Sequence, residues 1–206
     1  MVSGIWGCKV GMTQIFSEDK VIPVTIVDVS HWVATNIKPE ESSGYRAIQV
    51  ACVRKRYRNE KFSTKWLKKI KKYFSLIRDI PLKDDVSLEI SVGQSVDFYS
   101  EFIKGSKVDV FGRTRGLGFA GVVKRHNFSG SPRGHGHTMG DKPGSIGSIA
   151  ACGKVAKGKK MPGRLGNKQR VMKNLKIVEV EKNAKALFIQ GSVPGKTGTF
   201  VFVRKA

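Results

Sequence analysis

Apolar and polar residues alternate along much of the chain, and the alternation predicts short β-strands. Ile5–Val10 and Thr13–Phe16 read as a strand pair broken at Gly11, with a turn at Glu18 and Asp19. Val21–Val29 alternates well, and Pro23 near its start, having no N–H for a ladder, predicts an edge position. His31–Ile37 reads as its hairpin partner, residues 39–44 as a polar turn and Tyr45–Val53 as the next strand. Further on, Val86–Ile90, Ser95–Tyr99 and Lys107–Phe111 are strand-like, and so are Leu175–Val180, Ala186–Gln190 and Thr199–Arg204. Many short strands punctuated by turn residues predict a mainly β protein built as an antiparallel barrel.

Two stretches break this pattern. Over Lys61–Ile77 the residues Phe62, Trp66, Leu67, Ile70, Tyr73, Phe74 and Ile77 recur near helical spacing, with lysines on the other face. The spacing predicts an amphipathic basic helix capped at Ser63 or Thr64. Such a helix packs on a barrel with a solvated lysine face, or lies on a membrane surface. The second stretch, residues 111–173, has no period. It holds 14 of the 23 glycines, yet strands on both sides of it complete one barrel. It therefore reads as an excursion from a domain spanning 1–206, and 54–92 as a smaller helical insertion.

Composition sharpens the picture through charge. The chain has 206 residues, 40% of them hydrophobic, enough for a core, and a formal net charge of +22. Residues 54–79 carry 11 Lys/Arg against 2 acids, and residues 111–173 carry 14 against Asp141 alone. The remaining segments nearly cancel. Two concentrated basic blocks on a near-neutral scaffold are the footprint of a polyanion, because neutralising phosphates releases counterions. Cys8, Cys52 and Cys152 are odd in number and widely spaced, without a CxxC pair, which argues against a disulfide scaffold or zinc site. No apolar run reaches membrane-span length, and the opening MVSGIWGCKVGMTQIF lacks a signal-peptide pattern.

Several motifs suggest catalysis, and each lacks context. Gly116, Gly118 and Gly121 spell GxGxxG, but the sequence after them runs into SGSPRGHG, which leaves no room for the helix of a dinucleotide fold. Gly153, Gly158 and Lys159 match GxxxxGK, but Lys160 replaces the magnesium-binding Ser or Thr. Gly191–Thr197 resembles a phosphate loop that is one residue short and leads into a strand. His135 and His137 could share a metal, but no third ligand lies nearby and Gly and Arg flank them, so no metal site is assigned. No nucleophile–base arrangement is evident. A non-catalytic protein without cofactor is expected, and a nucleotide-dependent enzyme or a membrane-associating protein would be the competing classes.

RNA fits the basic blocks better. Arg forks onto phosphate and stacks on bases, Lys acts as a point charge, and glycine permits close backbone approach. The candidate RNA contacts in the first part of the chain are Lys9, Arg54, Lys55, Arg56, Arg58, Lys68 and Lys72. In the long stretch they are Arg113, Arg115, Lys124, Arg125, His126, Phe128, Arg133, His135 and His137, then Lys154, Lys157, Lys159, Lys160, Arg164, Lys168 and Arg170. Phe119 joins them as an interleaved aromatic.

These residues carry a resemblance. GCKVGMTQIFSEDKVIPVTIV, GYRAIQV, VGQSV, LGFAGVVKRHNF and PGSIG…GKVAKGKKMPGRLGN resemble, in order and over nearly the whole length, the universal large-subunit ribosomal protein L-three family in its bacterial or organellar form. Its signature falls on Phe102, Asp109, Gly112, Thr114, Gly116, Gly118, Gly121 and Arg125, and Leu117 stands where the family usually has a basic residue. The resemblance implies a split β-barrel of the translation-protein type, direct binding to large-subunit ribosomal RNA, a role in early assembly and an extension towards the peptidyl transferase centre. The tip would be Ser145, Ile146, Gly147, Ser148, Ile149, Ala150, Ala151, Cys152 and Gly153. It also implies neighbours of the L-fourteen and L-nineteen families, a cytoplasmic or organellar ribosome as location, and neither membrane nor small-molecule substrate as partner.

Overall fold

The computed structural model describes residues 3–17, 20–82, 90–132, 134–147 and 153–206. The chain divides into two compact units, one of Met1–Arg113 with Gln169–Ala206, the other of Thr114–Lys168.

In the first unit six antiparallel strands close into a barrel: β1 (Gly4–Ser17), β2 (Lys20–Asp28), β6 (Lys107–Arg113), β9 (Gln169–Glu181), β10 (Ala186–Gln190) and β11 (Phe200–Lys205), in the order β1-β11-β6-β9-β10-β2. Alternation explains why these sequences close. Val108 and Val110, Leu187 and Ile189, and Val201 and Val203 are fully buried, while Phe188 and Phe202 between them are half-buried. Each such side chain contributes roughly 1.5–3 kcal/mol by leaving water.

Beside the barrel, β3 (Trp32–Lys38), β4 (Ala47–Val53) and β5 (Phe74–Pro81) form a second antiparallel sheet. The central strand β4 is buried on both faces. Ile48, Val50 and Cys52 join the main core, while Ala51 and Val53 face an aromatic cluster built on Trp66 and Phe74. This double burial is why its sequence is almost continuously apolar.

Several expectations change. First, β1 is one strand: Gly11 makes no turn, and the register shift between Lys9 and Gly11 marks a bulge. Second, Trp32–Lys38 pairs with β4, not β2, because His31 adopts a left-handed φ of 63° and turns the chain into the second sheet. Third, β2 is paired on both sides, with β1 and β10, so it is not an edge. Pro23 is tolerated because its nitrogen side lies past the end of β10, where its carbonyl accepts from Gly191 N–H at 2.9 Å. Fourth, no single helix spans residues 61–77. Two turns, α2 (Lys65–Lys68) and α3 (Ile70–Tyr73), flank Lys69, whose φ of −125° is not helical, and Phe74 and Ile77 already belong to β5. Phe62, Trp66, Leu67, Tyr73, Phe74 and Ile77 pack together, with Trp66 stacked on Tyr73 at 4.9 Å and 2°, while Ile70 is exposed. The membrane-surface helix thus loses its geometry. A further short helix, α1 (Glu40–Ser43), occupies the polar turn. Ser95 forms only an isolated bridge to Val33, and Phe98–Glu101 is a 3-10 turn, where a strand was expected over 95–99. The strand expected at Val86–Ile90 lies mostly outside the described residues.

Among the described residues the second unit holds a two-stranded ribbon, β7 (Gly118–Ala120) with β8 (Gly163–Leu165), and a five-residue helix, α4 (Val122–His126). Thr114 N–H donates to Lys168 O at 2.9 Å, and Leu117 N–H to Leu165 O at 3.0 Å, which ties its two ends together.

Candidate nucleic-acid interface

In the second unit the basic residues stand on the surface. Arg115, Lys124, Lys154, Lys157, Lys159, Lys160, Arg164 and Lys168 are exposed, and so are His135 and His137. Residues 153–160 form an unbroken exposed run. No ion pair holds any of these cations among the described residues. Clustered exposed cations of this kind suit an external polyanion. Phe119 on β7 is 79% exposed and sits in register opposite the exposed Arg164. Leu117, at the departing signature position, is also exposed.

Arg125 and His126 behave differently. Arg125 Nη1 donates to Met161 O at 2.6 Å, and the His126 ring nitrogen Nε2 lies 3.0 Å from the same oxygen. A Cβ on Gly163 would meet that guanidinium at 2.6 Å, so glycine is what lets Arg125 lie across the ribbon. Both side chains are half-buried, and Phe128 packs 6.2 Å from the His126 ring. These three hold the returning strand. Gly166 is just as constrained: its φ is +76°, and a Cβ there would fall 2.0 Å from Arg115 O. Arg133 and residues 148–152 of the predicted tip lie outside the described residues, while Ser145, Ile146, Gly147 and Gly153 are exposed.

In the first unit Arg113 and Arg170 are exposed near the ends of the β6–β9 ladder, where Gly112 pairs with Arg170. The first basic block lines a cleft of about 760 Å³ between the barrel and the second sheet. Arg54, Lys55, Arg56, Arg58, Lys71 and Lys72 meet Cys8, Asp28, Trp32, Cys52, Val53, Ser75 and Phe200 around it. Lys71 was missed as a candidate. It lies in the basic block, but its place on the cleft depends on the break at Lys69. Lys68 is exposed and does not line the cleft. The cleft's field acts on its neighbours. Burial, then Arg58, pushes His31 below its ordinary pKa. Burial and Asp28 raise the Cys8 thiol, with Arg58 and Lys55 opposing them.

Lys9 is a correction. Expected on an RNA-facing surface, it is 8% exposed, and its ammonium donates to Val193 O at 2.7 Å and Gly195 O at 3.2 Å. It pins the turn before β11. Asp109 of the signature is also structural. Its carboxylate accepts from Asn174 N–H at 3.1 Å and Arg204 Nη2 at 3.0 Å, and these two bonds hold its pKa below the usual carboxylate value.

The enzyme-like motifs find no enzyme-like setting. The helix after GxGxxG has five residues. Among the described residues no strand lies between α4 and Gly153, and the Gly191–Thr197 loop leads into strand β11. Among the described residues no three His, Cys, Asp or Glu side chains gather as metal ligands, and no helix is long and apolar enough to cross a membrane.

The family model described as Ribosomal protein L3 matches residues 85–188. Similar proteins match end to end. One from Nitrosomonas europaea, named large ribosomal subunit protein uL3, is 40% identical over 214 positions, covering 99% of this chain and 96% of the relative. The chain belongs to the ribosomal protein L3 family. Proteins of the same name from Shouchella clausii and Akkermansia muciniphila are 38% and 37% identical, each covering 100% of this chain and 98% and 99% of the relative. The L3 family is one of structural ribosomal proteins, not of enzymes, which removes the nucleotide-dependent enzyme as a reading.

Proposed function

We propose that this chain is a structural constituent of the large ribosomal subunit that binds its ribosomal RNA directly, in a cytoplasmic or organellar ribosome. The observation that carries this reading is the end-to-end match to proteins named large ribosomal subunit protein uL3. The chemistry of the surface supports it, since clustered exposed cations bind a polyanion by releasing its counterions. The chain works as one domain over residues 1–206, with a split barrel of the translation-protein type as its anchor and insertions at 54–92 and 111–173. The first insertion docks on RNA. The second threads between RNA helices, its Lys and Arg neutralising phosphate and its tip over residues 145–153 directed to the peptidyl transferase centre. By neutralising charge it lowers the free energy of compact RNA during early assembly. Neighbouring proteins of the L-fourteen and L-nineteen families contact the barrel.

The test is sedimentation of the tagged chain with cell extract. It should travel with large subunits and stay there through a high-salt wash. Recovery only in the ribosome-free fraction would refute the reading. Removing residues 130–165 should weaken binding to large-subunit RNA, and unchanged affinity at moderate salt would sink the threading role.

A further inference from the structure

The cleft of the first unit has a two-sided chemistry that a plain phosphate-coated surface lacks. One wall is apolar: Trp32, Cys52 and Val53 are buried, and Phe200 is half-buried. The other carries the cations of residues 54–58 and of α3. Its acid, Asp28, has Oδ1 occupied by Ser30, with the backbone N–H at 2.8 Å and the hydroxyl at 2.5 Å. Arg58 Nε is buried without a hydrogen-bond partner, a donor whose desolvation nothing in the described protein offsets. A volume of about 760 Å³ is in the range of sites that hold one small ligand, the size class of a nucleotide.

We propose that this cleft seats a single unpaired nucleotide of RNA, with the base against the apolar wall and the phosphate on Arg58, Lys55 and Lys72. The proposal rests on the RNA-binding reading above and adds a site, a ligand form and a division of labour. Bases held in a duplex cannot enter, whereas those of loops and bulges can be splayed out and received. The long extension contributes charge, and this cleft contributes preference for unpaired RNA.

Ser75 gives the test. It lies exposed on β5 at the cleft, its hydroxyl donating to Cys52 O at 3.1 Å. Ser75→Phe fills the cleft with a strand-compatible side chain and leaves every cation in place. Binding of the full-length chain is measured against an unstructured oligoribonucleotide of about eight residues and a duplex of equal length. Ser75→Phe should lower affinity for the unpaired RNA about tenfold and leave duplex affinity unchanged. Equal loss on both, or loss on neither, overturns the cleft site. A wild-type chain that bound neither RNA would overturn the RNA-binding reading itself, so the two failures are distinguishable. Should Ser75→Phe not fold, the wild-type chain supplies the second measurement. Alkylation of Cys8, which lines the cleft, should slow about tenfold with the unpaired RNA and not with the duplex. Equal rates with and without the unpaired RNA would refute the proposal.

Discussion

Lys9→Met separates a structural cation from an RNA-binding one. The substitution keeps the stem and removes the ammonium that bonds Val193 O and Gly195 O, 184 and 186 residues away. Bonds to a charged donor are worth about 1.5–3 kcal/mol each, and a buried carbonyl left unpaired costs about 1–3 kcal/mol. Gly195 O is only partly buried and its bond is the longer one, so water recovers some of that loss. A net destabilisation of about 2–3 kcal/mol follows, a fall of about 4–12 °C in Tm for a protein of this size. RNA binding should behave differently. A lysine on a phosphate contributes about 0.7–0.9 to the slope of log affinity against log salt. For Lys9→Met the slope should not change. Thermal unfolding and salt-dependent filter binding on the same preparation decide the matter. An unchanged Tm with a slope reduced by about one contact would refute the structural assignment.

Three further outcomes are expected. Asp109→Asn should destabilise the chain by about 1–3 kcal/mol at neutral pH. The carboxylate's pKa is depressed in the folded state, so its contribution is present above the unfolded value near 3.9 and lost as pH falls through the folded one; the variant and wild type should therefore converge in acid. Urea unfolding across pH checks this, and a gap that persisted in acid would contradict it. Gly166→Ala combines a left-handed φ, costing about 1–2 kcal/mol, with a Cβ 2.0 Å from Arg115 O; hydrogen exchange should show the Thr114 and Leu117 amides deprotected while the barrel strands stay protected. Trp66→Ala removes the buried centre of the aromatic cluster and should cost about 3–5 kcal/mol in urea unfolding.

Most barrel strands were legible because one face of each is buried, and period-two alternation records that directly. What the sequence hid came from contacts distant along the chain or from local geometry without a residue signature. His31 turns the chain at a left-handed φ without being glycine, so its neighbours read as a hairpin. Phe74 and Ile77 happen to continue the helical spacing of Phe62 and Trp66, because both the turns and the strand feed one aromatic cluster. Lys9 looked like any exposed lysine, since its partners are on the turn before the last strand. The basic block at 54–72 was visible as charge. Its concavity was not, because Cys8, Asp28 and Phe200 on three different strands close it. In the second unit the surface cations were legible, whereas the inward engagement of Arg125 and His126 on Met161 depended on the chain folding back 35 residues later.

The central claim is that the exposed cations of the extension neutralise RNA phosphate. Replacing Lys154, Lys157, Lys159 and Lys160 together by glutamine tests it most directly, because all four are exposed and stand in one unbroken exposed run. Stability should be unchanged. The slope of log affinity for large-subunit RNA against log salt should fall by about 3, from four contacts at roughly 0.7–0.9 each. An unchanged slope, with the protein folded and bound, would contradict the account.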